Sequence, residues 1–82
     1  MILPTKSIDQ DLALLTVGAQ IIQQLERPGT VSATWDRVTS YRENINAPSA
    51  LPFWWFALSL DLLVTIGVVE LDDGQLMRTN AT

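Results

Sequence analysis

LPFWWFALSLDLLVTIGVVELDDGQLMR, residues 51–78, decides how the chain is read. Between Leu51 and Ile66 the only polar side chains are Ser59, Asp61 and Thr65. A helix is expected over 50–66, with Ser49 as N-cap and Pro52 tolerated in the first turn. Gly67 stops it, because a residue without Cβ enters left-handed backbone freely. The hydrophobic period then changes. Val68–Leu71 and Gln75–Arg78 are short strand-like runs, and the Asp73-Gly74 pair between them is the signal of a two-residue hairpin loop.

Upstream of this stretch, residues 43–49 form a polar loop of turn-prone residues. A second helix is expected over 31–43, capped by Thr30. Val31, Trp35, Val38 and Tyr41 make its apolar face; Asp36, Arg37, Thr39, Ser40 and Arg42 make its wet face. Arg27-Pro28-Gly29 is a break, with room for a short third strand against the hairpin. A first helix is expected over 9–26, with Ser7 or Asp9 as cap. Leu12, Leu15, Ala19 and Ile22 recur at three- and four-residue steps, and Leu14, Val17, Ile21 and Leu25 widen the stripe. Residues 1–8 read as extended, since Pro4 disfavours helix at Leu3; Ile2 and Leu3 there need cover. Three helices followed by a β-hairpin give a mainly helical α+β domain over 1–82, in the order of a winged helix-turn-helix.

Composition narrows the function. A chain of 82 residues forms one domain, whose core supplies about 3–5 kcal/mol of net stability. It has no Cys and no His, so disulfides, thiolate or imidazole metal sites, haem ligation by His and Ser-His-Asp chemistry are all excluded. The sequence holds 48% hydrophobic and 17% charged residues, against about 25% charged in an average soluble domain. The apolar surplus calls for cover by lipid or protein. The net charge of −4 is poor material for a phosphate-binding face. The opening residues lack a charged signal n-region, and the expected location is the cytoplasm.

The third helix weighs on the same question. A DNA-reading winged helix would present Arg, Lys, Asn or Gln from it to the major groove, and residues 51–66 contain none of these. At about 100° per residue, Trp54, Leu58, Asp61 and Thr65 share one face. Trp55, Phe56, Leu62, Leu63 and Ile66 fall on the other side, which is the expected core side. Trp54, Leu58, Asp61 and Thr65, together with Ile2 and Leu3, are therefore the candidate partner-binding residues. The alternative for Trp54 is packing on loop 43–49. A nucleic-acid role would have to recruit Lys6, Arg37 and Arg42. Membrane insertion of 51–69 is opposed by Asp61 near its middle, at about 2.5–3.5 kcal/mol. A homodimer through this helix is open.

No catalytic constellation stands out. Asp72 and Asp73 sit at a turn and Asp9 and Asp11 at a helix start, where Asp is common for backbone reasons. Asp61 lies in an apolar helix, where Arg37, Arg42 or a partner's arginine could meet it, but no second perturbed group accompanies it. The glycines are isolated, so no phosphate loop exists. No enzymatic activity, cofactor or metal is expected.

Four blocks carry a family resemblance: ILPTK at 2–6, LLTVGAQII at 14–22, TVSATWDRV at 30–38, and WFALSLDLLVTIGVVEL with DDGQLMR from residue 55 to 78. In this order and spacing they resemble the type-six middle component of bacterial ABC-three-component conflict systems, which are similar to Lamassu anti-phage operons. The resemblance implies a winged-helix-like subunit working with an ABC/SMC-like ATPase and an effector, often a nuclease, as a non-enzymatic link between them. The residues matching the motif are Leu3, Pro4, Thr5, Lys6, Gly18, Trp35, Trp55, Phe56, Asp61 and Gly67. The family often continues its opening block with His, where this chain has Ser7, so a His-dependent role does not transfer.

Overall fold

The computed structural model describes residues 12–79. The extended segment 1–8, with Ile2, Leu3 and Lys6, and the expected caps Ser7 and Asp9 lie outside those residues. The elements run α1 (Leu14–Gln24), α2 (Val31–Asn44), α3 (Phe53–Thr65), β1 (Val69–Asp72) and β2 (Gln75–Arg78). Three helices thus precede an antiparallel hairpin, the layout of a winged helix.

The sequence signals at the element ends act largely as expected. The Thr30 hydroxyl accepts from the Ala33 N–H at 3.1 Å, a side-chain N-cap on α2. Gly67, at φ 87°, closes α3. Its N–H reaches the Val64 carbonyl and that of Val68 reaches Leu63, both at 3.1 Å, the paired bonds of a Schellman ending. Asp73 and Gly74 take φ of 53° and 79°, the two positive values of a type I′ turn. Gly29 and Leu76 form an isolated antiparallel bridge, exchanging bonds of 3.1 and 2.7 Å. This is the short third strand, reduced to one residue.

Two helix starts differ from expectation. α3 begins at Phe53 with Pro52 in the cap position, because the Pro52 carbonyl accepts the N–H groups of Trp55 and Phe56, each at 3.1 Å. Ser49 is not its cap; the Ser49 carbonyl instead accepts from Arg42 Nη2 at 2.6 Å. The α-helical stretch of α1 starts at Leu14, after Ala13, with no side-chain cap. The Leu12 carbonyl there accepts from the Trp55 indole N–H, which ties this end of α1 to α3.

The core sits where α1, α3 and the hairpin meet. Val17, Ile21 and Leu25 of α1 are buried against Phe56, Leu60 and Leu63 of α3, with Val69 and Leu76 closing the hairpin side. α2 joins through Val38 and an aromatic cluster: Trp35 lies 5.1 Å from Phe53 and 5.1 Å from Phe56, both edge-on, the geometry aromatic rings prefer. Ser59 is buried too, and its hydroxyl donates to the Trp55 carbonyl at 2.9 Å, so the hydroxyl is not orphaned in the core. Leu62 and Ile66, expected on the core side, are exposed. Leu62 stands a quarter-turn off the Phe56–Leu63 stripe, and Ile66 is the C-cap, where the chain leaves the helix.

Gly18 packs α1 closely on α3. A Cβ added there would lie 3.5 Å from Leu63 Cδ2, ordinary van der Waals contact. Gly inside a helix costs roughly 0.5–1 kcal/mol relative to Ala. Gly18→Ala is therefore expected to raise stability by about that amount, read as a higher urea midpoint at unchanged slope.

Candidate functional site

The arginines show first what the surface does not offer. Arg42 was expected on the wet face of α2 but is 4% exposed. Its Nη1 donates to Gln20 Oε1 at 3.2 Å and its Nη2 to the Ser49 carbonyl. It therefore pins α1 and the 45–52 connection to α2. Arg37 donates from Nη1 to the Gln24 carbonyl at 3.1 Å and the Arg27 carbonyl at 3.0 Å, and from Nη2 towards the Pro28 carbonyl at 3.4 Å. Arg78 Nε reaches the Ile22 carbonyl at 2.9 Å. α1 has no basic residue in its last turn. Two arginines from elsewhere in the chain satisfy its terminal carbonyls instead and complement its dipole.

Three of the four described arginines are thus engaged in holding the fold. Arg37 and Arg42 do not converge on a face that could meet phosphates. Neither turns to Asp61, the pairing the sequence suggested. Exposed Asp36, Asp61, Glu70, Asp72 and Asp73 remain, so the described surface is acidic, unlike that of a duplex-binding winged helix.

α3 carries the candidate site. Only Phe56, Ser59, Leu60 and Leu63 are buried, so most of the circumference of an almost wholly apolar helix is left open. Trp54 is 66% exposed and Leu58 45%, and Asp61 and Thr65 are exposed beside them. Trp54 meets the edge of Trp55, ring centroids 5.3 Å apart, and stays open to solvent rather than disappearing under loop 43–49. Contiguous apolar surface of this kind marks contact sites, and Trp is the residue in which interfaces concentrate their energy.

The apolar surface continues to the hairpin. A groove of about 280 Å³ lies between the start of α2, the flank of α3 and the wing, lined by Val31, Ala57, Asp61, Val64 and Leu71 among others. Sequence reasoning missed Val64 and Leu71 as surface residues. Strand alternation could have found Leu71: it shares a face with Val69, yet only the latter lies over the core. A second cleft, of about 320 Å³, runs along Thr39, Arg42, Glu43 and Leu51. Among the described residues no cluster of acidic side chains could hold a metal ion, and no helix is long and apolar enough to cross a membrane.

The family model described as ABC-three component (ABC-3C) system Middle Component 6 matches residues 3–80. No curated protein matches the chain, and no solved structure does.

Proposed function

The chain belongs to the ABC-three-component middle component 6 family, and from that membership, which makes it one part of a multi-subunit system, we propose that it is a small non-enzymatic adaptor. In this reading it links an ABC/SMC-like ATPase to an effector within a Lamassu-like anti-phage complex in the cytoplasm, through protein–protein contacts alone. The observation that carries the reading is the open apolar side of α3 around Trp54 and Leu58. Such a patch costs solubility in a lone domain and is relieved when a partner covers it. The acidic surface supports protein partners over duplex DNA.

Co-expression with the neighbouring operon components, followed by affinity purification and size exclusion, tests it. The intact chain is expected to co-elute with the ATPase, the effector or both. Recovery as a well-behaved monomer with no affinity for either would overturn the reading. Trp54→Ala and Asp61→Lys are expected to weaken the complex by about 30-fold, corresponding to the roughly 2 kcal/mol of a hot-spot side chain. Both positions are exposed, so the melting temperature of the isolated chain should hardly move, as for surface changes within about 0.5 kcal/mol. A large melting shift with unchanged complex recovery would show that the patch serves the fold instead.

A further inference from the structure

Among the described residues the wing ends in a strand edge that pairs with no other strand, and its hydrogen-bond register shows which groups face outward. Leu76 exchanges both its backbone bonds with Gly29. Gln75 and Met77, its neighbours on β2, therefore turn their N–H and carbonyl groups towards β1, since direction alternates along an antiparallel strand. Their partners are Asp72 and Glu70. The bond from the Thr79 N–H to the Val68 carbonyl, 3.0 Å, continues the same alternation. Leu71, opposite Leu76, is left with its N–H and carbonyl directed outward, away from β2. Its side chain is 57% exposed and lines the groove shared with Ala57, Asp61 and Val64.

We propose that β1 accepts an added β-strand from another component, with the pattern basic–apolar–basic centred opposite Leu71. The inference rests on the adaptor reading and names how one partner is held. An added strand satisfies the outward groups of Leu71 and supplies an apolar side chain beside it, over the groove. Glu70 and Asp72 flank Leu71 on the opposite face of β1, and both are exposed. Lys or Arg are the favoured residues opposite them, because opposite charges paired across a sheet attract and like charges repel. This excludes a second copy of β1. Antiparallel self-pairing about Leu71 would set Glu70 against Asp72 twice, a charged edge of the kind that keeps sheets from pairing with themselves.

The test uses the full chain and two labelled probes, an alternating lysine–valine heptapeptide and an alternating glutamate–valine heptapeptide, followed by fluorescence anisotropy at moderate salt. The lysine–valine peptide is expected to bind at least tenfold more tightly than the glutamate–valine peptide. Leu71→Pro removes the outward N–H without breaking a bond to β2, a substitution tolerated on edge strands. It should weaken binding at least tenfold at unchanged net charge, which separates strand addition from general attraction of a basic peptide. E70K/D72K, at two exposed positions, should reverse the preference between the peptides and leave the melting temperature within a few degrees. The inference is overturned if Leu71→Pro binds the lysine–valine peptide as well as the native chain does, or if E70K/D72K leaves the preference unchanged. If both peptide results hold but no operon component co-purifies, the edge is a strand acceptor and the adaptor reading fails. If the components co-purify equally with native and Leu71→Pro chains, the adaptor stands and strand addition does not.

Discussion

Phe56→Ala is expected to unfold most of the chain near physiological temperature. Phe56 is fully buried at the junction of three elements, with Trp35 centred 5.1 Å away and Phe53 at 5.7 Å. Truncating a buried Phe costs about 3–5 kcal/mol, part lost transfer energy and part cavity. The core of a domain this small supplies only about 3–5 kcal/mol of net stability, so a loss of that size removes most of it. Each kcal/mol shifts the midpoint by about 4–8 °C at this size, so thermal melting by circular dichroism should show a fall of about 12 °C or more. Phe53→Ala, at a ring that is half exposed, should fall much less. Equal losses at the two positions would mean that the aromatic cluster is not organised around Phe56.

Arg42→Met is the second large effect. Methionine keeps the apolar stem but removes the guanidinium, leaving Gln20 Oε1 and the Ser49 carbonyl without the bonds they accept now. Hydrogen bonds to charged groups contribute about 1.5–3 kcal/mol each, and buried acceptors left unpaired are penalised further. A loss of about 2–4 kcal/mol is expected by urea denaturation, on that scale. Gln20→Leu in the same background should recover part of it, because removing both partners is milder than orphaning one. Strict additivity of the two substitutions would show that Arg42 and Gln20 are not coupled. If Arg42 instead served a nucleic acid, Arg42→Met would leave the fold's stability nearly intact.

Much of the fold was legible because its signals are local. Thr30 caps α2 through a bond three residues away, Gly67 ends α3 through positive φ, and Asp73-Gly74 fits the one turn type that needs positive φ twice. The start of α3 was misplaced for a reason that is also physical. Ser49 is a good cap by residue type, but its carbonyl is held by Arg42, and Pro52, with fixed φ and a free carbonyl, opens the helix three residues later. The candidate site was half legible. The grouping of Trp54, Leu58, Asp61 and Thr65 follows from helical spacing alone, and all four are exposed. The exposure of Leu62, Ile66 and Leu71 does not follow, because all three are as apolar as residues in the core.

The sequence by itself determined the element order, the capping and turn chemistry, and the surplus of apolar over charged residues. Each of these is a property of neighbouring residues or of a sum. Only the tertiary structure decided which part of α3 is covered and what the arginines bind. Arg37 finds its carbonyls 9 to 13 positions away, Arg42 finds Gln20 across 22, and Arg78 finds Ile22 across 56. A guanidinium has the same charge and five donors whether it faces solvent or a helix end. Its partner is set by how α1, α2 and the hairpin come to rest against one another, and no pattern along the chain encodes that meeting.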